Sequence, residues 1–198
     1  MAQIIVFDVE TGGLKVTENP ITQIALIAVG DEDLVEKERY TTFVKPYNDL
    51  ILTDKALEVS LVDKKTLAIS PEAKDVVLMV KEFFKKATDK RTKPILAGHN
   101  VTFDIAMLTE MFRFTKNNLM DHINNNNGVA NYYDTQKLMQ KCYPELGRYR
   151  LSDCCEHCDI PLYDAHGAMG DTEATLLLLK HLFAKMRSSE KSSSKADT

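Results

Sequence analysis

No apolar run in this sequence approaches the length needed to cross a bilayer, so no membrane contact is expected. The first strand-like segment starts almost at Met1, which leaves no room for a signal or transit peptide and makes a cytoplasmic location the expectation. Positive charge is not in excess: 25 Lys and Arg face 29 Asp and Glu, for a formal net charge of −4. That balance argues against coating nucleic acid by bulk electrostatics, but not against gripping a strand end locally through metal ions. Cysteine is sparse, and Cys142, Cys154, Cys155 and Cys158 fall in one short stretch. "CCEHC" has the spacing of no common structural zinc site, and no second ligand pair lies elsewhere. Reduced, partly buried helical cysteines are expected, and no zinc. Internal repeats and dividing linkers are also missing, which leaves one domain over residues 1–187 and a polar tail, "SSEKSSSKADT", over 188–198 that has nothing to bury and is expected to be disordered.

What is present alternates between strand and helix. "QIIVFDV", "ITQIALIAVG" and "ERYTTFVKP" read as three consecutive strands with short connections. "LTDKALEVS" reads as a short helix or irregular loop. "SPEAKDVVLMVKEFFKKA" is a helix capped by Ser70, with Val76, Val80, Phe83, Phe84 and Ala87 as its buried stripe. "KPILAGHN" follows as a fourth strand, then the helix "TFDIAMLTEMFRF". "NNLMDHINNNNGVAN" is a polar connection, mobile at its centre. "YYDT" is a short fifth strand, and the helices "TQKLMQKCY", "YRLSDCCEHCDI" and "GDTEATLLLLKHLFAKM" complete the chain. This order specifies one α/β domain with a mixed five-stranded sheet, whose sites should collect at the carboxyl ends of strands.

Four acids interrupt the apolar pattern. Asp8 and Glu10 are two apart on the first strand, so their side chains share a face and can reach one point. Asp104 leads the stripe Met107, Leu108, Met111, and Asp171 leads Ala174, Thr175, Leu178, Leu182. Either helical acid alone is explained by the helix dipole. Four acids aimed at one strand end are not, because each unpaired buried charge costs several kcal/mol. Hard divalent cations with oxygen ligands resolve the conflict, and a pair of them serves phosphodiester hydrolysis. A base for the attacking water is available in His166, which sits in "AHGAMGD" five residues before Asp171.

"FDVETGGL", "GHNVTFD" and "AHGAMGD", in that order, closely resemble the three motifs of the DEDDh 3′–5′ exonucleases, the family that includes the proofreading subunit of bacterial DNA polymerase III. The resemblance covers roughly residues 3–186. It implies a ribonuclease-H-like fold with helices on both faces of the sheet. It also implies two Mg²⁺ or Mn²⁺ ions on Asp8, Glu10, Asp104 and Asp171, with His166 as general base. By the same analogy Thr11 and Gly12 lie by the terminal nucleotide through the backbone, Leu14 wedges against its base, and His99, Asn100 and Phe103 line the strand's path. Asp134 of "YYDT" takes a structural or supporting role. The implied reaction releases nucleoside monophosphates from single-stranded or frayed DNA, in proofreading or repair, with a DNA polymerase as a candidate partner. DNA is favoured over RNA on the resemblance alone. An RNA or short-oligonucleotide exonuclease using the same acids, and an inactive nucleic-acid-binding polymerase accessory, are the alternatives. Lys137, Lys141, Arg148 and Arg150 are candidates to flank the strand, with solvated surface charge the preferred reading for any one of them.

Overall fold

The computed structural model describes residues 3–60, 62–88, 92–163 and 167–193. Three strands come first: β1 (Ile4–Thr11), β2 (Ile21–Val29) and β3 (Glu36–Phe43). The short helices α1 (Asp54–Ser60) and α2 (Lys64–Ala68) lead to the long α3 (Ala73–Ala87). Then follow β4 (Ile95–Gly98), α4 (Thr102–Phe114), the two-residue strands β5 (Asn125–Asn126) and β6 (Val129–Ala130), and β7 (Tyr132–Asp134). The helices α5 (Thr135–Cys142), α6 (Leu151–His157) and α7 (Ala168–Ser193) close the order. The main sheet runs β3-β2-β1-β4-β7, with β1 antiparallel to β2 and parallel to β4, so it is the mixed five-stranded sheet expected.

Alternation along β1 explains the layering. Ile5, Phe7 and Val9 pack with Val76, Val80, Phe84, Met107 and Met111 of α3 and α4 on one face. Ile4 and Val6 point the other way, onto Leu176 and Leu179 of α7. Asp8 and Glu10 continue this second row, so the strand's own period delivers both acids to the α7 face. Gly98 lets β4 end tightly: a Cβ there would stand 2.5 Å from Val101 Cγ2 and 3.1 Å from the Phe7 carbonyl. α4 can therefore start directly beside β1. Among the described residues no helix is long and apolar enough to cross a membrane.

Three local expectations need correction. Ser70 does not cap α3; its hydroxyl bonds back to the Thr66 carbonyl at the end of α2, and Glu72 is the N-cap residue. The asparagine-rich connection holds the hairpin β5–β6, because Asn127 (φ 51°) and Gly128 (φ 84°) accept the left-handed conformations that a two-residue hairpin turn requires. The tail expected from residue 188 starts as helix, since α7 continues to Ser193; extending a formed helix fixes one residue per added hydrogen bond, whereas nucleating one fixes several.

The cysteines fit the expectation of a packing role. Cys154 and Cys155 are buried, with Met139, Leu178 and Leu182 around Cys154, and burial pushes their thiols up to about 12 and about 11.

Candidate active site

β4 pairs with β1 only as far as Val6 and Ala97. Beyond that point β1 has no partner on this side, and the Val9 N–H is taken by Asp104 Oδ1 at 3.3 Å. That contact anchors the first turn of α4 to the strand carrying Asp8 and Glu10. On the other side of β1, Glu10 stands opposite Gln23 of β2. The Gln23 amide oxygen accepts the Ala168 N–H (3.3 Å) and so holds the start of α7, three residues before Asp171. Two long-range hydrogen bonds thus bring three distant segments to one strand end.

The carboxylate oxygens of Asp8, Glu10 and Asp171 lie within 4.8 Å of one another. Asp104 lies outside this trio but within its field. Burial, then repulsion from Asp104, Glu10 and Asp171, raises the Asp8 carboxyl well above its ordinary value. Burial, followed by repulsion from Asp171, pushes Glu10 up to about 7. Asp104 also rises to about 7 because burial outweighs the two backbone N–H bonds that favour its charged form. A cluster of hard oxygen donors that repel one another fits divalent cations such as Mg²⁺ or Mn²⁺.

These shifts predict an unusual pH response. A carboxyl whose folded pKa is raised binds its proton more tightly in the folded state, so metal-free protein loses stability as pH climbs from about 4.5 through about 7, and the loss stays constant above. Glu10 and Asp104 together set the effect on the order of a few kcal/mol. Glu36 and Glu72, lowered by Arg39 and Lys45, act in the opposite sense and below this window. Thermal melts from pH 5 to 8 in a chelator should show the fall, and millimolar Mg²⁺ should remove it. A flat profile in both buffers would contradict the described geometry.

The remaining predicted residues divide. Leu14 is 85% exposed and, with Ile51 and Val59, forms the apolar wall of a groove of about 640 Å³ that begins at Glu10 and Thr11. Asn19 builds this groove. Its side-chain oxygen accepts the Lys15 N–H (2.8 Å) and its amide donates to the Ile51 carbonyl (2.7 Å), tying two loops together. Thr11 donates its hydroxyl to the Gly13 carbonyl (2.8 Å). Asn100 is exposed and Phe103 partly buried at the start of α4.

Gly12 is held by backbone hydrogen bonds on both sides. Its N–H is donated to the Pro20 carbonyl (2.8 Å), and its own carbonyl accepts from the Thr53 N–H (2.8 Å) and hydroxyl (2.9 Å). That leaves neither backbone group open to a nucleotide in this conformation, and a Cβ there would meet the Ile51 carbonyl at 2.9 Å. Gly12 is a close-packing position. His99 is likewise engaged within the chain. Nε2 donates to the Tyr149 carbonyl (2.8 Å), and Nδ1 is paired with the Thr135 hydroxyl (2.9 Å), which also bonds the Gly98 carbonyl (3.2 Å); burial lowers the pKa of the ring. It fastens the stretch before α6 to the end of β4. Asp134 accepts the Asn100 and Gln136 N–H groups, both at 3.0 Å, which gives it the supporting role anticipated. His166 lies outside the described residues.

Residues 5–179 match the exonuclease family model RNase_T. The chain belongs to the exonuclease family. Members use divalent metal ions to hydrolyse nucleic acid, and the cluster of Asp8, Glu10 and Asp171 suits them. This exonuclease-family chain is 31% identical over 175 residues to the PolC-type DNA polymerase III of Bacillus subtilis, covering 88% of this chain and 11% of that protein. With the PolC-type DNA polymerase III of Oceanobacillus iheyensis it shares 30% identity over 182 residues, covering 92% of this chain and again 11% of the relative. The chain thus corresponds to about a tenth of the length of these polymerases. Among solved structures, E. coli Exonuclease I in complex with a dT13 oligonucleotide superposes with a TM-score of 0.81 over 96% of this chain and 43% of that one, at 19% identity. The zinc-ion-bound form of the same enzyme with single-stranded DNA superposes at 0.78 and 21% identity, over 91% of this chain and 40% of that one. At such identities the likeness is one of fold.

Gln23 was not anticipated as part of the site. Its signal was an amide side chain inside the apolar run "ITQIALIAV", on the face shared with Glu10. Gln23→Ala should lower nuclease activity by roughly tenfold, because a lost supporting hydrogen bond loosens the Asp171 carboxylate. Steady-state rates across a Mg²⁺ titration check this: saturating metal should restore part of the rate. An unchanged metal requirement would separate Gln23 from the site.

Proposed function

We propose that this domain is a DEDDh-type, metal-dependent exonuclease that removes nucleoside monophosphates from the 3′ end of single-stranded or frayed DNA. The observation that carries this reading is the convergence of Asp8, Glu10 and Asp171, with Asp104 beside them, on one strand end next to an apolar groove. In this reading Asp8, Glu10, Asp104 and Asp171 hold two divalent cations, Mg²⁺ or Mn²⁺ by their all-oxygen donor set. Such ions supply neutralising charge, a more acidic water and stabilisation of charge on the phosphate.

The chain's own residues do the rest. The groove wall of Leu14, Ile51 and Val59 holds the terminal base by apolar contact, which a base still paired in a duplex cannot offer without melting. Thr11, Asn100 and Phe103 stand along the strand's entry. His166 accepts the proton of the attacking water. Residues 1–187 form the nuclease domain, which acts in the cytoplasm beside a DNA polymerase, in proofreading or repair. The likeness to PolC-type polymerases supports that setting.

Degradation of 3′-blocked and 5′-blocked DNA and RNA oligomers, with and without Mg²⁺, tests the reading. Loss of one nucleotide at a time from free 3′ ends of DNA, abolished by chelation, is expected. Faster removal from RNA would move the assignment to an RNA exonuclease, and 5′ attack would overturn it.

A further inference from the structure

A second groove, of about 620 Å³, opens at the amino-terminal end of β4, away from the carboxylates at the other end of the sheet. Lys81 and Lys85 of α3, Lys93 before β4, and His122 line it, over a floor that includes the buried Phe84. Its three lysines gather on one concave surface. Lys15, Lys45, Lys64 and Lys86 elsewhere are ion-paired, with Glu18, Glu72, Asp54 and Glu38. In the groove the lysines meet neutral groups. Lys81 donates to Asn117 Oδ1 (2.8 Å), Lys93 donates to the Met120 carbonyl (3.2 Å), and Lys85 has no ion-pair partner among the described residues.

The helix dipole accounts for Lys85, in the last turn of α3, but not for Lys93, which lies outside any helix. Asp121 is the one described acid on the rim, and its Oδ1 accepts from Asn118. The groove's field is felt by His122, whose pKa falls through burial and Lys81, with Asp121 opposing and Lys93 adding to the fall. In a chain of net negative charge, a concave surface that carries three ammonium groups against one carboxylate among the described residues is a site for a polyanion.

We propose that this groove binds the phosphate backbone of the same nucleic acid strand whose 3′ end enters the carboxylate site. The inference rests on the nuclease reading above. Phe84 in the groove is only 1% exposed and offers bases no face, so the three lysines dominate and recognition is chiefly of phosphate, without sequence preference. β4 alone separates the two ends by roughly 13 Å, so a strand of a few nucleotides fills the catalytic end without touching the groove.

The test compares a trinucleotide with a thirty-nucleotide DNA strand on the full chain, measuring both direct binding and hydrolysis. The triple variant K81A/K85A/K93A should bind the long strand about tenfold or more weakly. The slope of log affinity against log salt should shrink by about 2, at roughly 0.7 per single-strand phosphate contact. Trinucleotide hydrolysis should stay unchanged. K81R/K85R/K93R should retain long-strand affinity, and thermal melts of both variants check folding. Unchanged long-strand affinity and salt slope in a folded alanine variant would overturn the proposal, as would an equal loss on both substrates. If the native chain cuts neither substrate, the nuclease reading fails, while the binding comparison still decides the groove.

Discussion

Replacing Asp8 with Asn is expected to reduce nuclease activity to background while raising the melting temperature of the metal-free protein. Both effects follow from one property. Asp8 is the acid on which burial and repulsion from Asp104, Glu10 and Asp171 all act, so its charge is unfavourable when nothing neutralises it. Asn keeps the shape and removes the charge, relieving repulsion on three neighbours. Each kcal/mol relieved raises the melting temperature by about 2–4 °C in a chain of this size. With Mg²⁺ the order should invert: the native chain gains from binding, and the variant gains less because one charged ligand is gone. Thermal melts of both proteins in chelator and in Mg²⁺, alongside an oligonucleotide digestion assay, read all four quantities. A variant that melts lower than the native chain in chelator would mark Asp8 as structural and remove the electrostatic basis for a metal centre.

The same competition between burial and charge explains what was legible in the sequence. Asp8 and Glu10 announced themselves because two acids on one face of an apolar strand violate its pattern, and Asp104 and Asp171 because each heads a buried helical stripe. Those are periodic signals, and Met107, Leu108, Leu178 and Leu182 are all buried as the period requires. Contacts between distant segments leave no such trace. The Val9–Asp104 bond spans 95 positions and the Gln23–Ala168 bond 145, so neither could be read locally. The groove wall was half visible for the same reason: Leu14 closes the first motif, whereas Ile51 and Val59 reach it only because Asn19 ties the two loops together. The hairpin at Asn127 and Gly128 is a different failure. Its turn signal was present, but a polar tract with no apolar alternation concealed it.

Replacing His166 with Ala should lower turnover at neutral pH by a factor of about a hundred or more. An imidazole has an ordinary pKa near 6.5, which suits it to take a proton from water at physiological pH. Its place in the chain supports the role: Gly167, its neighbour, gives its carbonyl to the Asp171 N–H (3.1 Å), so His166 directly precedes the turn that fixes Asp171. Loss of a base is separable from loss of the metal centre. His166→Ala leaves all four carboxylates in place, so Mg²⁺ should still raise the melting temperature as it does in the native chain. The deficit should narrow as pH rises, because hydroxide from bulk solvent increasingly replaces the missing acceptor. Single-turnover rates from pH 6 to 9 would show a native profile that levels above the imidazole pKa and a variant profile that keeps climbing. A variant with native turnover removes His166 from the reaction. A variant that loses its Mg²⁺-dependent stabilisation along with its activity assigns the residue to holding the acids in place.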